Sequence, residues 1–198
     1  MNGFERRKLN KMNQIRQAAF SLFTKYGIQK VNIQEISKKA NVSQVTIYNY
    51  FGSKDELVYD VMNNYLENQL TDFIQLTQSP LSFEEKMEKL IHLKIESTKE
   101  LSPEFLKTIL TENPQVAKLF QEFAYSKTMP LLYEFLESGK DSGIISKDLS
   151  KDTILFILNS LTNSVINQTN LFQSSEQINR FTKEFMQFFF YGLTGKKE

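Results

Sequence analysis

The chain has 198 residues, 40% hydrophobic and 24% charged, enough for a sizeable core in one compact domain or in a small domain joined to a larger one. It has no cysteine, which excludes a disulfide framework and a thiolate metal site and is compatible with the cytosol; no apolar run approaches the roughly 18 residues of a membrane span. The formal net charge of +1 hides an asymmetry: residues 1–54 hold ten Lys/Arg against two acids, net +8, and the remainder is net −7, as in a polyanion-binding head on an acidic body or a merely solvated basic start.

The first element is an amphipathic helix. Basic residues precede the apolar patch Ala18 to Phe23, but Ser21 interrupts that patch and Lys25 follows it, so it is too short for a signal-peptide core. Ile15, Ala18, Ala19, Leu22, Phe23 and Tyr26 instead share one helical stripe, which Gly27 stops. Ahead of the stripe, Arg6, Arg7, Lys8 and Lys11 read equally as an arm for nucleic-acid backbone or minor groove and as a disordered, solvated start.

Asn32 with Glu35 caps a second helix, whose buried stripe is Ile33, Ile36 and Ala40 and which ends at Asn41, a residue tolerant of positive φ. Ser43 caps a short third helix, with Ile47 and Phe51 inward and Gly52 at its end. Ser53 with Glu56 forms a capping box for a fourth, which carries Leu57, Val61, Tyr65 and Leu66 towards Ser79–Pro80. Further starts are Ser82 with Glu85, Ser102–Pro103, Asn113–Pro114, Ser150, and Ser174 with Gln177. Pro130 is expected to kink or split the helix that begins near Pro114, and Gly139 and Gly143 bracket a turn. With no β-alternation, repeat or GxGxxG, the expected fold class is all-α with about nine helices.

The second and third helices, joined by Asn41–Val42–Ser43 and braced by the first, form a helix-turn-helix. Such a turn presents the N-terminal residues of its second helix, here Ser43, Gln44 and Thr46, to base edges in a major groove. Gln44 suits bidentate bonding to adenine, and Thr46 suits a base or a phosphate.

The stretch NIQEISKKANVSQVTIYNYFGSKDEL resembles the signature of TetR-family transcriptional regulators, and the resemblance covers residues 13–57. It implies a homodimeric repressor: the first three helices bind DNA, the fourth links them to a ligand-binding body, and the last two pair with those of a partner subunit. On that resemblance Tyr48, Tyr50 and Lys54 are phosphate contacts and Phe51 is a core residue. The full set of candidate DNA contacts is Asn32, Ser43, Gln44, Val45, Thr46, Tyr48, Asn49, Tyr50 and Lys54. The sequence departs from the family at Asn41 and at Val45, each standing where glycine is usual; a valine methyl there suits a thymine methyl. The expected division is a helix-turn-helix domain over 1–54 and a ligand-binding and dimerisation domain over 55–198.

In the body, His92, Phe105, Phe123, Asn159 and Asn163 are candidate ligand contacts. Asn159, Asn163 and Asn167 line one helix face and fit a pocket, a dimer bundle or plain solvent equally. A dimer interface is expected from Leu158, Leu161, Val165, Phe181, Phe185, Phe188 and Phe189, because the last helix is too apolar for a lone surface helix. The sole histidine and the absence of a nucleophile elbow or phosphate-cradling loop argue against an enzyme, a metal site or a cofactor. The expectation is a cytoplasmic, ligand-responsive repressor. It would bind a pseudo-palindromic double-stranded DNA operator as a homodimer, with an apolar or aromatic small molecule as effector and no membrane partner. The alternative is a DNA-binding regulator or architectural protein without an inducer.

Overall fold

The computed structural model describes residues 2–99, 101–167 and 172–194, with the backbone alone at 161–163, 165–167, 193 and 194. Among the described residues there are nine helices and no strand. They are α1 (Gly3–Tyr26), α2 (Ile33–Lys39), α3 (Gln44–Phe51), α4 (Lys54–Thr77) and α5 (Phe83–Thr98). Then come α6 (Pro103–Lys107, continuing as the π-helical turn Thr108–Glu112) and α7 (Pro114–Phe123, π-helical Ala124–Thr128, then Met129–Asp141). The last two are α8 (Lys151–Asn167) and α9 (Ser175–Thr194).

The caps explain most boundaries. Asn32, Ser43, Ser53, Ser82, Ser102 and Asn113 each accept a backbone N–H from three residues on. The box expected at Ser53 closes only halfway, because the Ser53 N–H is already bonded to the Phe51 carbonyl at 2.9 Å and is not free for Glu56. Pro130 does not split its helix. The chain widens to a π turn just before it, which places the residue that lacks an N–H where the ordinary ladder is already relaxed. Nor do Arg6, Arg7, Lys8 and Lys11 form a separate arm. They are the opening turns of α1, nucleated by a complete capping box between Asn2 and Glu5. Tyr26, expected on the buried stripe, is exposed at the end of that helix, with the Lys25 ammonium 5.2 Å from its ring centroid.

Two apolar clusters share α4 between them. Its first half gives Leu57, Val58, Val61 and Met62 to a cluster with α1, α2, α3, α6 and the start of α7. Its second half gives Phe73 and Leu76 to a cluster with α5, the end of α7, α8 and α9. The helix is therefore one rod with an end in each core. Gly27, at φ 83°, lets α6 close on α1: a Cβ there would stand 2.9 Å from the Glu104 Cβ.

Candidate DNA interface and effector cavity

The turn between α2 and α3 is built by one residue. Asn41 sits at φ 50°, while the Val42 N–H bonds to the Ser37 carbonyl and the Asn41 N–H to the Lys38 carbonyl. This Schellman closure reverses the chain without glycine, because asparagine tolerates the left-handed region. Ser43 then caps α3 through the Thr46 N–H at 3.0 Å, and the two hydroxyls also bond to each other at 2.8 Å. Ile47 and Phe51 are buried and pin α3 to the core. Its outer face carries Gln44, Val45, Tyr48 and Asn49, all exposed, with Val45 at 65% and Tyr48 at 48%. Val45 and Tyr48 thus stand outside the core, on a helix pinned by Ile47 and Phe51. Tyr50 is half-buried, its ring edge-on to Phe51.

The head also carries exposed cations. Lys38 and Lys39 close α2, and Arg6, Arg7 and Lys8 extend from α1, all exposed. Lys54 opens α4; burial lowers its pKa, partly offset by the carboxylates of Asp55 and Glu35. The free N–H groups of that helix start face the same way as its dipole's positive end. Asn32, exposed, spends its side-chain oxygen on the Glu35 N–H at 2.9 Å and so acts first as the cap of α2.

Body residues line a half-open cavity of about 370 Å³. Its walls come from α4 (Tyr65, Leu66, Phe73), α5 (Leu90, Lys94), α7 (Phe120, Phe123, Leu132) and α9 (Phe185, Phe189, Phe190). The π turn of α7 supplies Ala124 and Thr128, and α8 supplies Leu158. A second, polar cleft of about 580 Å³ opens where α1 meets α4 and α5, lined by Asn13, Arg16, Gln17, Asn64, Asn68 and Glu96 among others. Tyr65 and Gln69 line both spaces. Burial raises the Tyr65 phenol above its ordinary pKa, with the Ser97 hydroxyl acting in the opposite direction. Arg16 crosses from α1 to grip Asp60 with two bonds, 2.6 and 3.0 Å.

The body residues expected at a ligand separate clearly. Phe123 lines the cavity. His92 does not: it is exposed on α5, turned away from the cavity face that Leu90 and Lys94 share. Phe105 is fully buried in the cluster that joins head to body, edge-on to Phe20, and lies outside the cavity. Asn159 is half-buried on α8 and is not part of the lining; the side chains of Asn163 and Asn167 lie outside the described residues.

The expected interface residues also divide, since the apolar surface of α9 wraps more than one face. Phe185 and Phe189, one turn apart, line the cavity together with Leu158. Phe181, Phe188 and Tyr191 are exposed, Phe188 at 72%, as is Phe156 of α8. Leu161 and Val165 lie outside the described side chains. The lining lysine, Lys94, was missed, because a single Lys in a charged helix carries no periodic signal.

The profile of the tetR family of bacterial regulatory proteins matches residues 15–61, spanning the helix-turn-helix and the start of α4. Residues 15–61 are a helix-turn-helix domain of the TetR family. It is 24% identical, over 67% of its length and 68% of the relative's, to the uncharacterized HTH-type transcriptional regulator YhgD of Bacillus subtilis (strain 168). Its fold is that of a TetR transcription regulator from Haloarcula marismortui (TM-score 0.67, 16% identity, 93% of this chain and 98% of that one). It also matches the fold of the transcriptional regulator FadR from Bacillus subtilis, solved in complex with stearoyl-CoA (TM-score 0.63, 16% identity, 93% and 98%). The chain thus has the all-α fold of these regulators, headed by a helix-turn-helix domain of this DNA-binding family. No described helix is long and apolar enough to cross a membrane.

Proposed function

We propose that this chain is a cytoplasmic, ligand-responsive repressor that binds a pseudo-palindromic operator as a homodimer and leaves it when a small molecule enters the cavity. The observation that carries the reading is the pinned helix α3: Ile47 and Phe51 buried, Gln44, Val45, Tyr48 and Asn49 outward. Gln44, Val45 and Thr46 meet base edges; Tyr48, Asn49, Tyr50 and Lys54 meet the backbone; Ser43 and Asn32 hold the helix starts that face it. The helix-turn-helix unit, residues 1–54, acts with the first half of α4, and the remainder is the effector and pairing body. The outward aromatics Phe156, Phe181, Phe188 and Tyr191 support pairing through α8 and α9, since an apolar patch of this kind calls for a partner.

The cavity supports an effector. Its volume lies at the lower end of the roughly 300–1,000 Å³ typical of small-molecule sites, and its walls are mainly aromatic and aliphatic. That FadR of B. subtilis was solved with stearoyl-CoA is consistent with an apolar ligand in such a body. An effector shifts the balance only by its difference in affinity between the DNA-bound and free states.

Selection from a random duplex pool with the full chain tests the proposal. The enriched sequence is expected to be an inverted repeat whose half-sites lie about one helical turn apart, bound by two subunits. A pool that never enriches, or an enriched site bound by one subunit, contradicts it.

A further inference from the structure

Lys94 is out of place. It is the one charged side chain among the described residues lining the apolar cavity, and it stands one turn from Leu90 on the same face of α5. Burying an ammonium among aromatic rings is costly unless an anion pairs with it. No described carboxylate forms an ion pair with it; the pairs in the molecule join Arg16 and other lysines instead. The acid that influences it is Asp72, exposed on α4, on the far side of a groove of only about 30 Å³. That groove has room for about one water and for no ligand. Burial accordingly holds the ammonium below the ordinary lysine pKa, with Asp72 acting against the shift.

The same side chain therefore faces two ways. Inward it meets a chamber walled by Phe73, Phe123, Phe185 and Phe189, with room for a ligand's apolar part. Its stem covers apolar surface while its head seeks a counter-charge that no described residue provides at bonding distance.

We propose that the effector of this cavity is an amphiphilic organic anion, with an apolar chain or ring system among the phenylalanines and one carboxylate or similar acid on Lys94 Nζ. The proposal rests on the reading of the cavity as the effector site and adds the chemical class that the site selects. A neutral apolar molecule would leave the part-buried ammonium without a partner, and a cation would be repelled. Discrimination thus comes from the penalty on the wrong ligand as much as from attraction to the right one.

Calorimetric titration of the full chain near neutral pH with decanoate and with 1-decanol, both below their aggregation limits, tests this. The two probes share a chain length and differ in charge. Wild-type protein is expected to bind decanoate at least about tenfold more tightly, the size of one charge-assisted hydrogen bond. Lys94→Met is expected to erase that preference while keeping the affinity for decanol, which also shows that the cavity is intact. Equal binding of the two probes by wild type overturns the anion assignment and leaves the cavity reading standing; so does a preference that survives in Lys94→Met. Binding of neither probe overturns the cavity reading, and the assignment with it. The wild-type comparison decides the matter even if the variant fails to fold.

Discussion

The ring of Tyr65 in α4 stacks on the ring of Phe20 in α1, centroids 4.9 Å apart and planes at 22°. Phe20 in turn meets Phe105 of α6 edge-on at 6.3 Å. Tyr65 also lines the cavity proposed for the effector, so a ligand there would touch the group that α1 rests on. This is a short physical route from cavity to head. A ligand that moves Tyr65 must either carry Phe20 with it or break the stack.

Phe20→Leu keeps the apolar volume near constant and removes the stacking. Stability is expected to fall by about 1 kcal/mol, the worth of an aromatic pair. The larger effect falls on coupling: effector affinity of the free protein stays near wild type, while the fold by which effector weakens DNA binding shrinks. By reciprocity, the fold by which DNA weakens effector binding shrinks equally. Titrating each ligand with and without the other measures both.

Arg16 and Asp60 make the second link between α1 and α4, part-buried and bonded twice. Arg16→Met is expected to cost about 1–2 kcal/mol in urea unfolding, as for a hydrogen-bonded charged pair that is not fully exposed. A double mutant with Asp60→Asn is expected to lose less than the two single losses added together, since the partners share one interaction.

On α3 the variants separate positioning from reading. Tyr48→Phe is expected to weaken binding by a similar factor on every duplex, as a lost backbone contact does. Val45→Ala is expected to relax selectivity at one base pair by about 1 kcal/mol, since it removes methyl groups from the exposed face. Lys54→Met is expected to reduce the slope of log affinity against log salt by about 1. Anisotropy on the selected duplex and its single-base variants distinguishes the three.

Lys94 has a pH signature in the absence of ligand. Its folded pKa is lowered, so between that value and the ordinary 10.5 the unfolded chain binds more protons than the folded one. The penalty for holding it charged is fully present below the folded pKa and is lost as pH rises towards 10.5. Lys94→Met is therefore expected to melt higher than wild type near neutral pH, with the gap closing in alkali. Thermal melts across that range check it.

The head was legible because its information is local. Asn32 with Glu35, Ser43 before Gln44, and Gly52 after Phe51 are signals within a few residues, and each cap stands where it was expected. The body was legible in its helix starts and not in its faces. Phe105 and Phe123 look alike in sequence, yet one closes the joint with the head and the other lines the cavity. Phe185 and Phe188 lie three residues apart in the mostly apolar second half of the helix, and its docking on α5, through Asn179 to the Ile95 carbonyl at 2.6 Å, decides which one faces inward. The π turns at Thr108–Glu112 and Ala124–Thr128 carry no composition of their own. They arise where Asn113–Pro114 and Pro130 interrupt the ladder.

The most direct test of the account is fluorescence anisotropy of the full chain on its selected duplex and on a scrambled duplex of equal length, each titrated with salt. Binding to the selected duplex that is tighter by about 10³ or more, with affinity on both falling steeply as salt rises, is the predicted result. Equal affinity for the two duplexes at every salt concentration would contradict it, leaving the basic head as an electrostatic surface and α3 as a helix that reads nothing.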